Sequence, residues 1–378
     1  MGLDTKTPIS FRDHFAAVED PRLERCRRHR LGDILFLAIC AMIAGANDFV
    51  GMMKFGHAKY DWLKKYLELP GGIPSHDTIG RVFALLDGDQ FIQCFLDWVQ
   101  TIHQVTDGEV IAIDGKTARA SLDRATGRTP LHVVSAWSSA NRVVLGEVMT
   151  AEKSNEITAI PKLLGLLELK GAIVTIDALG CQKEIAAKVR ERGADYVLAV
   201  KGNQEHLEDD VVAYFAAVDE GRHRPEQRSQ ATVRSKGHGR VETRWYDAAP
   251  VPESLRHLED WKDLKSICRV TRVWTERGEE KSEVRYFISS LPAHVKQLAT
   301  AILGHWGVEN GLHWVLDMYF DEDRSRARTE HAAANLAVLR RWCVTLLRHD
   351  TTLKDGIEKK RLQAAWDEKV LERILKLS

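Results

Sequence analysis

The first hundred residues carry apolar side chains at the spacing of α-helices. Residues 33–46 are apolar on nearly every side, which is typical of a helix buried at the centre of a domain. Residues 48–67 have a mixed pattern that stops at the Pro-Gly-Gly sequence at 70–72, a clear helix breaker. The pattern predicts an all-α N-terminal domain over residues 1–105.

A short capped helix is predicted directly after that break. Ser75 can accept hydrogen bonds from the first turn, and the exposed positions of the helix would carry His76, Thr78 and Arg81. This arrangement suits a helix that enters a DNA groove after a tight turn. An ordinary capped surface helix has the same pattern, so both interpretations stay open.

β-Branched runs begin near residue 108 and alternate later with helical segments. They predict five strands, at 109–113, 131–137, 142–148, 172–176 and 196–200. Short links between the first three strands favour antiparallel pairing, and the helices before the last two favour parallel addition. This order is the topology of the first part of a ribonuclease-H-like core over residues 106–204, which still lacks its final helix.

The chain then leaves this pattern and returns to helices. Residues 205–290 contain a polar linker and several strand-like runs, which predict a β-rich insertion. Helical spacing over 291–349 would complete the core, and 350–378 predicts a helical tail. The predicted fold class is therefore α/β, a ribonuclease-H-like catalytic core with a β-rich insertion, preceded by the all-α domain.

Two aspartates follow predicted strands that should be neighbours in the sheet. Asp114 follows the first strand and Asp177 the fourth, and ligands gather at such strand ends in open α/β sheets. Two close carboxylates repel, which raises a pKa or recruits a cation, and oxygen ligands suit Mg²⁺. A late helix would add Glu309, with His305 and His313 four residues to either side on the same face. Strand-end capping, a structural ion-pair stripe and half of a zinc site are the alternatives.

Composition narrows the classes of function that remain. The 378 residues include 54 Lys and Arg against 54 Asp and Glu, so the overall positive charge of many nucleic-acid-binding proteins is absent. Six scattered cysteines without a Cys-x-x-Cys pair argue against a zinc ribbon or a disulfide framework. The longest apolar run, 34–46, is too short to cross a bilayer, and the first residues do not resemble a signal peptide. We expect a cytoplasmic protein without membrane contact.

Seven short motifs occur in one order along the chain. They are 113–117 (IDGKT), 131–137 (LHVVSAW), 152–157 (EKSNEI), 175–178 (TIDA), 201–204 (KGNQ), 237–240 (GHGR) and 305–310 (HWGVEN). Together they closely resemble the DDE transposases of bacterial insertion sequences, in the ISAs-type group that includes the H-repeat-associated proteins. The resemblance covers roughly residues 10–348, and the joint match is highly specific although each motif alone is not.

The resemblance implies that Asp114, Asp177 and Glu309 are the catalytic residues and the metal ligands, with two Mg²⁺ ions as the cofactor and Mn²⁺ as a substitute. It implies cleavage of phosphodiesters at the ends of the element, followed by attack of the freed 3′-hydroxyl on target DNA. The expected partners are double-stranded DNA, both terminal inverted repeats and target, and a second copy of the chain on that DNA. The expected location is the cytoplasm, at the nucleoid when DNA is bound.

The helix around Glu309 departs from the pattern Tyr-x2-Arg-x3-Glu-x6-Lys that the wider superfamily often carries. Ile302, His305 and Leu316 stand at the corresponding positions, so only the arginine has a candidate replacement, His305. The resemblance therefore does not by itself imply a hairpin step or the detailed phosphate contacts of the superfamily. A related nuclease without strand transfer and an inactive DNA-binding protein stay open as alternatives, although the presence of all three acidic residues argues against the inactive form.

Basic residues concentrate in three segments, at 22–30, 116–128 and 221–245. Such segments can bind DNA phosphates, although charge runs are more often solvated faces. Trp245 would stack on an unpaired base unless it belongs to the core of the insertion. The predicted DNA contacts are Arg27, Arg28, Arg30, Arg81, Lys116, Arg119, Lys153, Asn155, Lys201, Asn203, Lys236, His238, Arg240, Arg244, Trp245 and His305.

Overall fold

The computed structural model describes residues 13–122, 129–150, 155–225, 227–237, 240–276 and 278–377. Its N-terminal α-helices are α1 (Leu31–Ile43), α2 (Phe49–Ala58), α3 (Tyr60–Leu63), α4 (His76–Leu85) and α5 (Gly88–Ile102). Helix α1 is buried along nearly its whole length, as its apolar pattern predicted. The Ser75 hydroxyl accepts a hydrogen bond from the Thr78 amide at 3.2 Å, so the predicted cap of α4 is confirmed.

Five strands form the first half of the sheet. They are β1 (Val110–Ala118), β2 (Leu131–Ser138), β3 (Val143–Thr150), β4 (Ile173–Ile176) and β5 (Asp195–Val200), with helices α6 (Glu156–Leu166) and α7 (Lys183–Glu191) beside them. The spatial order is β3-β2-β1-β4-β5, in which β1, β2 and β3 are antiparallel and β1, β4 and β5 are parallel. The predicted ribonuclease-H-like fold class is confirmed.

The β-rich segment continues this sheet. Helix α8 (Glu205–Asp219) precedes strands β6 (Ser229–Gly237), β7 (Arg240–Pro250), β8 (Ser266–Glu276) and β9 (Glu279–Ser289). Strand β9 pairs antiparallel with β5, so the described strands form one sheet in the order β3-β2-β1-β4-β5-β9-β8-β7-β6. The sequence pattern indicated the four strands but neither α8 nor the continuity of the sheet.

The C-terminal helices close the structure. They comprise α9 (Val295–Val308), a π-helical turn (Glu309–His313), α10 (Trp314–Phe320), α11 (Ala332–His349), α12 (Ile357–Trp366) and α13 (Glu368–Ile374). The predicted helical tail is thus two helices, and the π turn interrupts the late helix that was predicted to carry His305, Glu309 and His313. No helix among the described residues combines the length and the apolar character needed to cross a membrane.

Helix α11 joins the N-terminal helices to the sheet. Trp342 lies among aromatic rings from α5 and the segment before α1, with centroid distances of 5.1 Å to Phe15 and 5.5 Å to Trp98. The adjacent Arg341 is fully buried, and its guanidinium lies 2.8 Å from a Glu147 oxygen on β3 and 2.7 Å from a Glu322 oxygen. Because a buried charge is tolerated only with such partners, these ion pairs fix α11 against the sheet.

Candidate active site

Asp114 and Asp177 lie side by side on neighbouring parallel strands. Ile113 of β1 is directly opposite Ile176 of β4, so the residue that follows each of them is an aspartate at the same level of the sheet. Strand β1 continues to Ala118, so Asp114 lies within the strand and not at its end as predicted. Asp177 does follow the last residue of β4.

The carboxylate of Asp177 also caps a short turn. Its Oδ1 accepts hydrogen bonds from the amides of Leu179 at 3.0 Å and Gly180 at 3.3 Å. Asp177 therefore has the capping role that was one alternative to metal binding. Capping uses one carboxylate oxygen, and Asp177 still lines a cavity of about 570 Å³ together with Asp114 and Glu309.

Glycines let helix α9 and the π turn pack closely on the sheet. A Cβ atom at Gly304 would lie 2.8 Å from Cγ1 of Val110, and one at Gly311 would lie 2.7 Å from Cζ2 of Trp137. Real Cβ atoms do not approach other atoms so closely, so these positions require the absence of a side chain. The Ser139 hydroxyl adds a hydrogen bond to the Gly304 carbonyl at 2.6 Å.

This close packing brings the π turn to the side chain of Asp114. Nδ1 of His313 lies 3.6 Å from Oδ2 of Asp114 and 3.6 Å from Oε2 of Glu309. One ligand atom from each of the three residues falls within 4.8 Å of the others. Glu309 is 64% exposed whereas His313 is buried, so the cluster opens to solvent on the side of the glutamate.

The electrostatic environment of the site is dominated by burial and by close carboxylates. Burial raises the pKa of Asp114, and the charge of Asp177 raises it further against the opposing effect of two histidines. Burial lowers the pKa of His305, whose Nδ1 lies 3.1 Å from the Thr175 hydroxyl. The nearby imidazole of His313 lowers the pKa of Glu309. Several carboxylates that lie this close together favour a bound cation.

The donor set fits a divalent metal ion. Asp114 and Glu309 offer oxygen atoms, His313 offers a ring nitrogen, and Asp177 adds a carboxylate on the neighbouring strand. Carboxylate oxygens suit Mg²⁺ and Mn²⁺, and imidazole suits transition metals. The adjoining cavity leaves room for water and a phosphate group.

Comparisons with known proteins identify the family of the chain. The family model described as "Transposase DDE domain" matches residues 105–346, and the model "DDE_Tnp_1-associated" matches residues 12–99. The chain belongs to the DDE transposase family. It is thus a member of a family of polynucleotidyl transferases, with the ribonuclease-H-like core and the helical N-terminal region in the positions of the two family models.

Relatives of this DDE transposase match over almost its whole length. YncI of Escherichia coli O157:H7, named as a candidate transposase, is 42% identical over 97% of this chain and 94% of its own length. YhhI of Escherichia coli K12, named as an H repeat-associated candidate transposase, is 40% identical over 96% of this chain and 97% of its own. Among solved structures, a piggyBac transposase synaptic complex with hairpin DNA aligns with a TM-score of 0.43 and 11% identity, covering 94% of this chain and 75% of that chain.

Only some of the predicted DNA contacts of the transposase surround its acidic cluster. Lys201 is exposed and lines the cavity with His305. The side-chain amide of Asn203 donates a hydrogen bond to the Ala178 carbonyl at 2.8 Å, so it holds the turn after Asp177. Asn155 is exposed at the start of α6, and its side chain makes no cap hydrogen bond.

Lys116 is placed differently from the prediction. Its ammonium is almost fully buried and lies 2.7 Å from Asp317, 3.2 Å from Asp323 and 3.6 Å from Glu322. An ammonium that already has three carboxylate neighbours is not free to bind a DNA phosphate. We therefore correct the assignment of Lys116 from a DNA contact to a structural group that joins β1 to α10 and to the segment after it.

The remaining predicted contacts are spread over the surface. Arg27 binds backbone carbonyls within its own loop, Arg28 is exposed, and Arg30 pairs with Glu68. The other exposed side chains are Arg81 on α4, Arg119 after β1 and Trp245 on β7, whereas Arg244 pairs with Glu242. Lys153 and His238 lie outside the described residues, as do the side chains of Lys236 and Arg240.

Sequence reasoning missed a cation at the cavity. The Arg285 guanidinium stacks on the Trp306 ring at 4.5 Å, and both residues line the cavity beside Lys201. Trp306 belongs to the motif at 305–310, which is recognisable from the sequence alone. Arg285 lies in the insertion and becomes recognisable only once β9 is known to pair with β5.

Proposed function

We propose that this transposase cuts phosphodiesters at the ends of an insertion sequence and joins the freed 3′-hydroxyls to target DNA by in-line phosphoryl transfer. The observation that carries the proposal is the placement of Asp114 between Asp177 on the next strand and Glu309 on the π turn. This arrangement provides carboxylates on both sides of Asp114. It therefore supports two adjacent metal positions that share Asp114.

The proposed cofactor is a pair of Mg²⁺ ions, for which Mn²⁺ can substitute. Asp114 and Asp177 would hold one ion, and Asp114 and Glu309 the other. Bound divalent ions in such sites activate the attacking oxygen and stabilise the leaving oxygen. The chain itself supplies the arrangement of carboxylates, the close packing of the π turn on the sheet, and cationic side chains for the phosphates.

Cations at the cavity are well placed to orient the scissile strand. Lys201 is exposed at the end of β5. Arg285 is 43% exposed, stacks on the Trp306 ring and pairs with the carboxylate of Glu283 at 2.8 Å. Arginine presents its donors in a fixed fork that matches phosphate, and stacking on a ring reduces the freedom lost on binding. We propose Arg285 and Lys201 as phosphate contacts next to the metal ligands, with His305 buried behind them.

A second groove offers a path for the flanking duplex. It encloses about 1120 Å³ between α2, α4 and residues 321–332, and it is lined by Arg81, Arg324, Arg326 and Arg328. Four acidic residues, Asp48, Asp77, Asp321 and Glu330, line the same groove. Asp48 accepts a hydrogen bond from the Gly51 backbone amide, and Asp321 accepts one from the Asn47 side-chain amide, so both are engaged within the protein. The Arg324 side chain is 86% exposed. These arginines place α4, the candidate recognition helix, on one arginine-lined surface.

This surface also reaches the strand that carries the first aspartate. Arg119, one residue beyond β1, lies 3.6 Å from Asp323, and Arg328 donates a hydrogen bond to the Ala120 carbonyl at 3.1 Å. We propose that DNA runs from α4 along these arginines to the acidic cluster. The proposed ligands are terminal inverted repeats and target DNA, bound by a dimer of the chain at the nucleoid.

The test is a reaction of the full chain with Mg²⁺ and DNA that carries the terminal repeats of the element. Nicking at the repeat ends followed by joining supports the proposal. Cutting without end preference and without joining indicates a nuclease, and binding without cutting indicates an inactive protein. Asp114→Asn, Asp177→Asn and Glu309→Gln should each lower cleavage by at least about 100-fold. Full cleavage by any of them would contradict the site assignment.

A further inference from the structure

His313 stands out as a buried imidazole that points into the acidic cluster. Its side chain is 7% exposed, and Nδ1 lies 3.6 Å from carboxylate oxygens of both Asp114 and Glu309. Its other ring nitrogen, Nε2, is buried and has no hydrogen-bond partner among the described residues. The carboxylates that face Nδ1 of this ring are thus the two proposed as metal ligands.

The distances match the coordination shell of a small cation. Ligands about 2.1 Å from an octahedral ion are about 3 Å apart when adjacent and about 4 Å apart when opposite. The two separations of 3.6 Å at His313 lie between these values, and one ligand atom from each of the three residues falls within 4.8 Å of the others. Each separation is long for a hydrogen bond, so a direct ion pair does not fully account for the arrangement.

The local backbone supports a role in the site. Glu309 and His313 are the first and last residues of the π turn, and Gly311 between them packs against Trp137. Single π turns inside α-helices occur often at functional sites, because they interrupt the helix at a cost in hydrogen bonding. A purely structural stripe of Glu and His would need no such interruption.

We propose that His313 is a direct ligand, through Nδ1, of the divalent cation that Asp114 and Glu309 hold. This position is then a mixed nitrogen–oxygen site. Imidazole suits transition metals, whereas Mg²⁺ strongly prefers oxygen. The site should therefore bind Mn²⁺ more tightly than Mg²⁺. The proposal rests on the proposed function for the use of the metal, but metal binding itself is measurable without DNA.

The decisive measurement is pulsed electron paramagnetic resonance of Mn²⁺ bound to the full chain. We expect a ¹⁴N coupling from a directly bound imidazole, and its replacement by a ¹⁵N coupling in protein labelled with ¹⁵N-histidine. The coupling should disappear in His313→Asn and persist in His305→Gln, the matched control on α9. Absence of nitrogen coupling in the wild type, or its loss in His305→Gln alone, would overturn the assignment.

Affinity provides a second readout. His313→Asn should weaken Mn²⁺ binding by at least about 10-fold, the lower end of the losses seen when even a residue that only supports a metal ligand is changed. An amide oxygen near the former Nδ1 position should also reduce the preference for Mn²⁺ over Mg²⁺. Unchanged affinity and preference in a folded His313→Asn protein would contradict the proposal. A wild-type protein that shows the coupling but does not nick or join DNA would instead refute the proposed function alone.

Discussion

Nε2 of His132 lies 2.5 Å from Oε1 of Glu156, and both side chains are almost completely buried directly beneath Gly115. The Thr117 hydroxyl holds Nδ1 of the same histidine at 2.8 Å. The pair joins β2 to the start of α6 at the residue next to Asp114. A side chain at position 115 would overlap both members, so the glycine is required by this contact.

Removal of one member of this buried pair should destabilise the fold. Glu156→Ala leaves His132 without its carboxylate, and we expect a loss of about 3 kcal/mol in the free energy of unfolding. Urea unfolding at neutral pH measures it. Glu168, whose side chain is 85% exposed, is the matched control, and Glu168→Ala should change stability by less than about 1 kcal/mol. Equal effects of the two substitutions would show that the pair contributes little.

Contact between the π turn and the sheet can be tested at Gly311. In Gly311→Ala the added methyl meets Trp137, so the turn must move away from β2 and carry Glu309 and His313 with it. We expect a stability loss of about 1–3 kcal/mol and a lower affinity for Mn²⁺. Gly165 provides the control, because it lies inside α6 and a Cβ added there would meet no atom within 4 Å.

Gly165→Ala should stabilise the protein by about 0.5–1 kcal/mol, since alanine is the better helix former. Thermal unfolding with and without Mn²⁺ separates the two variants. If Gly311→Ala bound Mn²⁺ like the wild type, close packing of the turn would not be what positions the ligands.

The sequence was sufficient to predict that the two aspartates are neighbours, but it was not sufficient to predict the rest of the site. The short links between the first three strands favour antiparallel pairing, and the helices before β4 and β5 favour parallel pairing. Together they predict that β1 and β4 are parallel neighbours, which places Asp114 beside Asp177. The π turn leaves no trace in apolar spacing, because its extra residue per turn is hidden within a predicted continuous helix. The sequence therefore predicted the correct helix face for His313, but it left a structural ion-pair stripe and half of a zinc site open as its roles.

Lys116 shows a second limit of sequence reasoning. Its position in a basic segment favours a surface role, and nothing local indicates burial. Its partners Asp317, Glu322 and Asp323 come from about 200 residues later and meet it only through tertiary packing. The role of Arg285 could not be predicted for the same reason, because its position at the cavity depends on the pairing of β9 with β5.

Acid stability should depend on Glu109. Burial alone would raise the pKa of this carboxyl, but hydrogen bonds from His103, Ser138, Thr106 and Asn141 lower it to about 2. A lowered folded-state pKa stabilises the fold above the unfolded-state value near 4.5, and this contribution is lost as pH falls from there toward about 2.

We expect Glu109→Gln to cost about 2 kcal/mol at pH 7 and progressively less as pH falls below about 4. The free energy of unfolding in urea, measured from pH 3 to pH 7 for both proteins, gives the difference. A difference that stays constant over this range would show that hydrogen bonding to the ionised carboxylate is not its source.

The arginine groove makes a prediction about salt dependence. Arg324 and Arg326 are exposed beside Arg81, and each phosphate contact to double-stranded DNA contributes about 0.9 to the slope of log affinity against log salt. The double substitution Arg324→Gln with Arg326→Gln should reduce that slope by about 2 and weaken binding to a repeat-end duplex. Fluorescence anisotropy at several salt concentrations measures both effects.

The control is Arg222→Gln, a change at an exposed arginine that pairs with Glu220 outside the groove, and it should leave the slope unchanged. An equal slope for the double variant and the wild type would place the DNA path elsewhere.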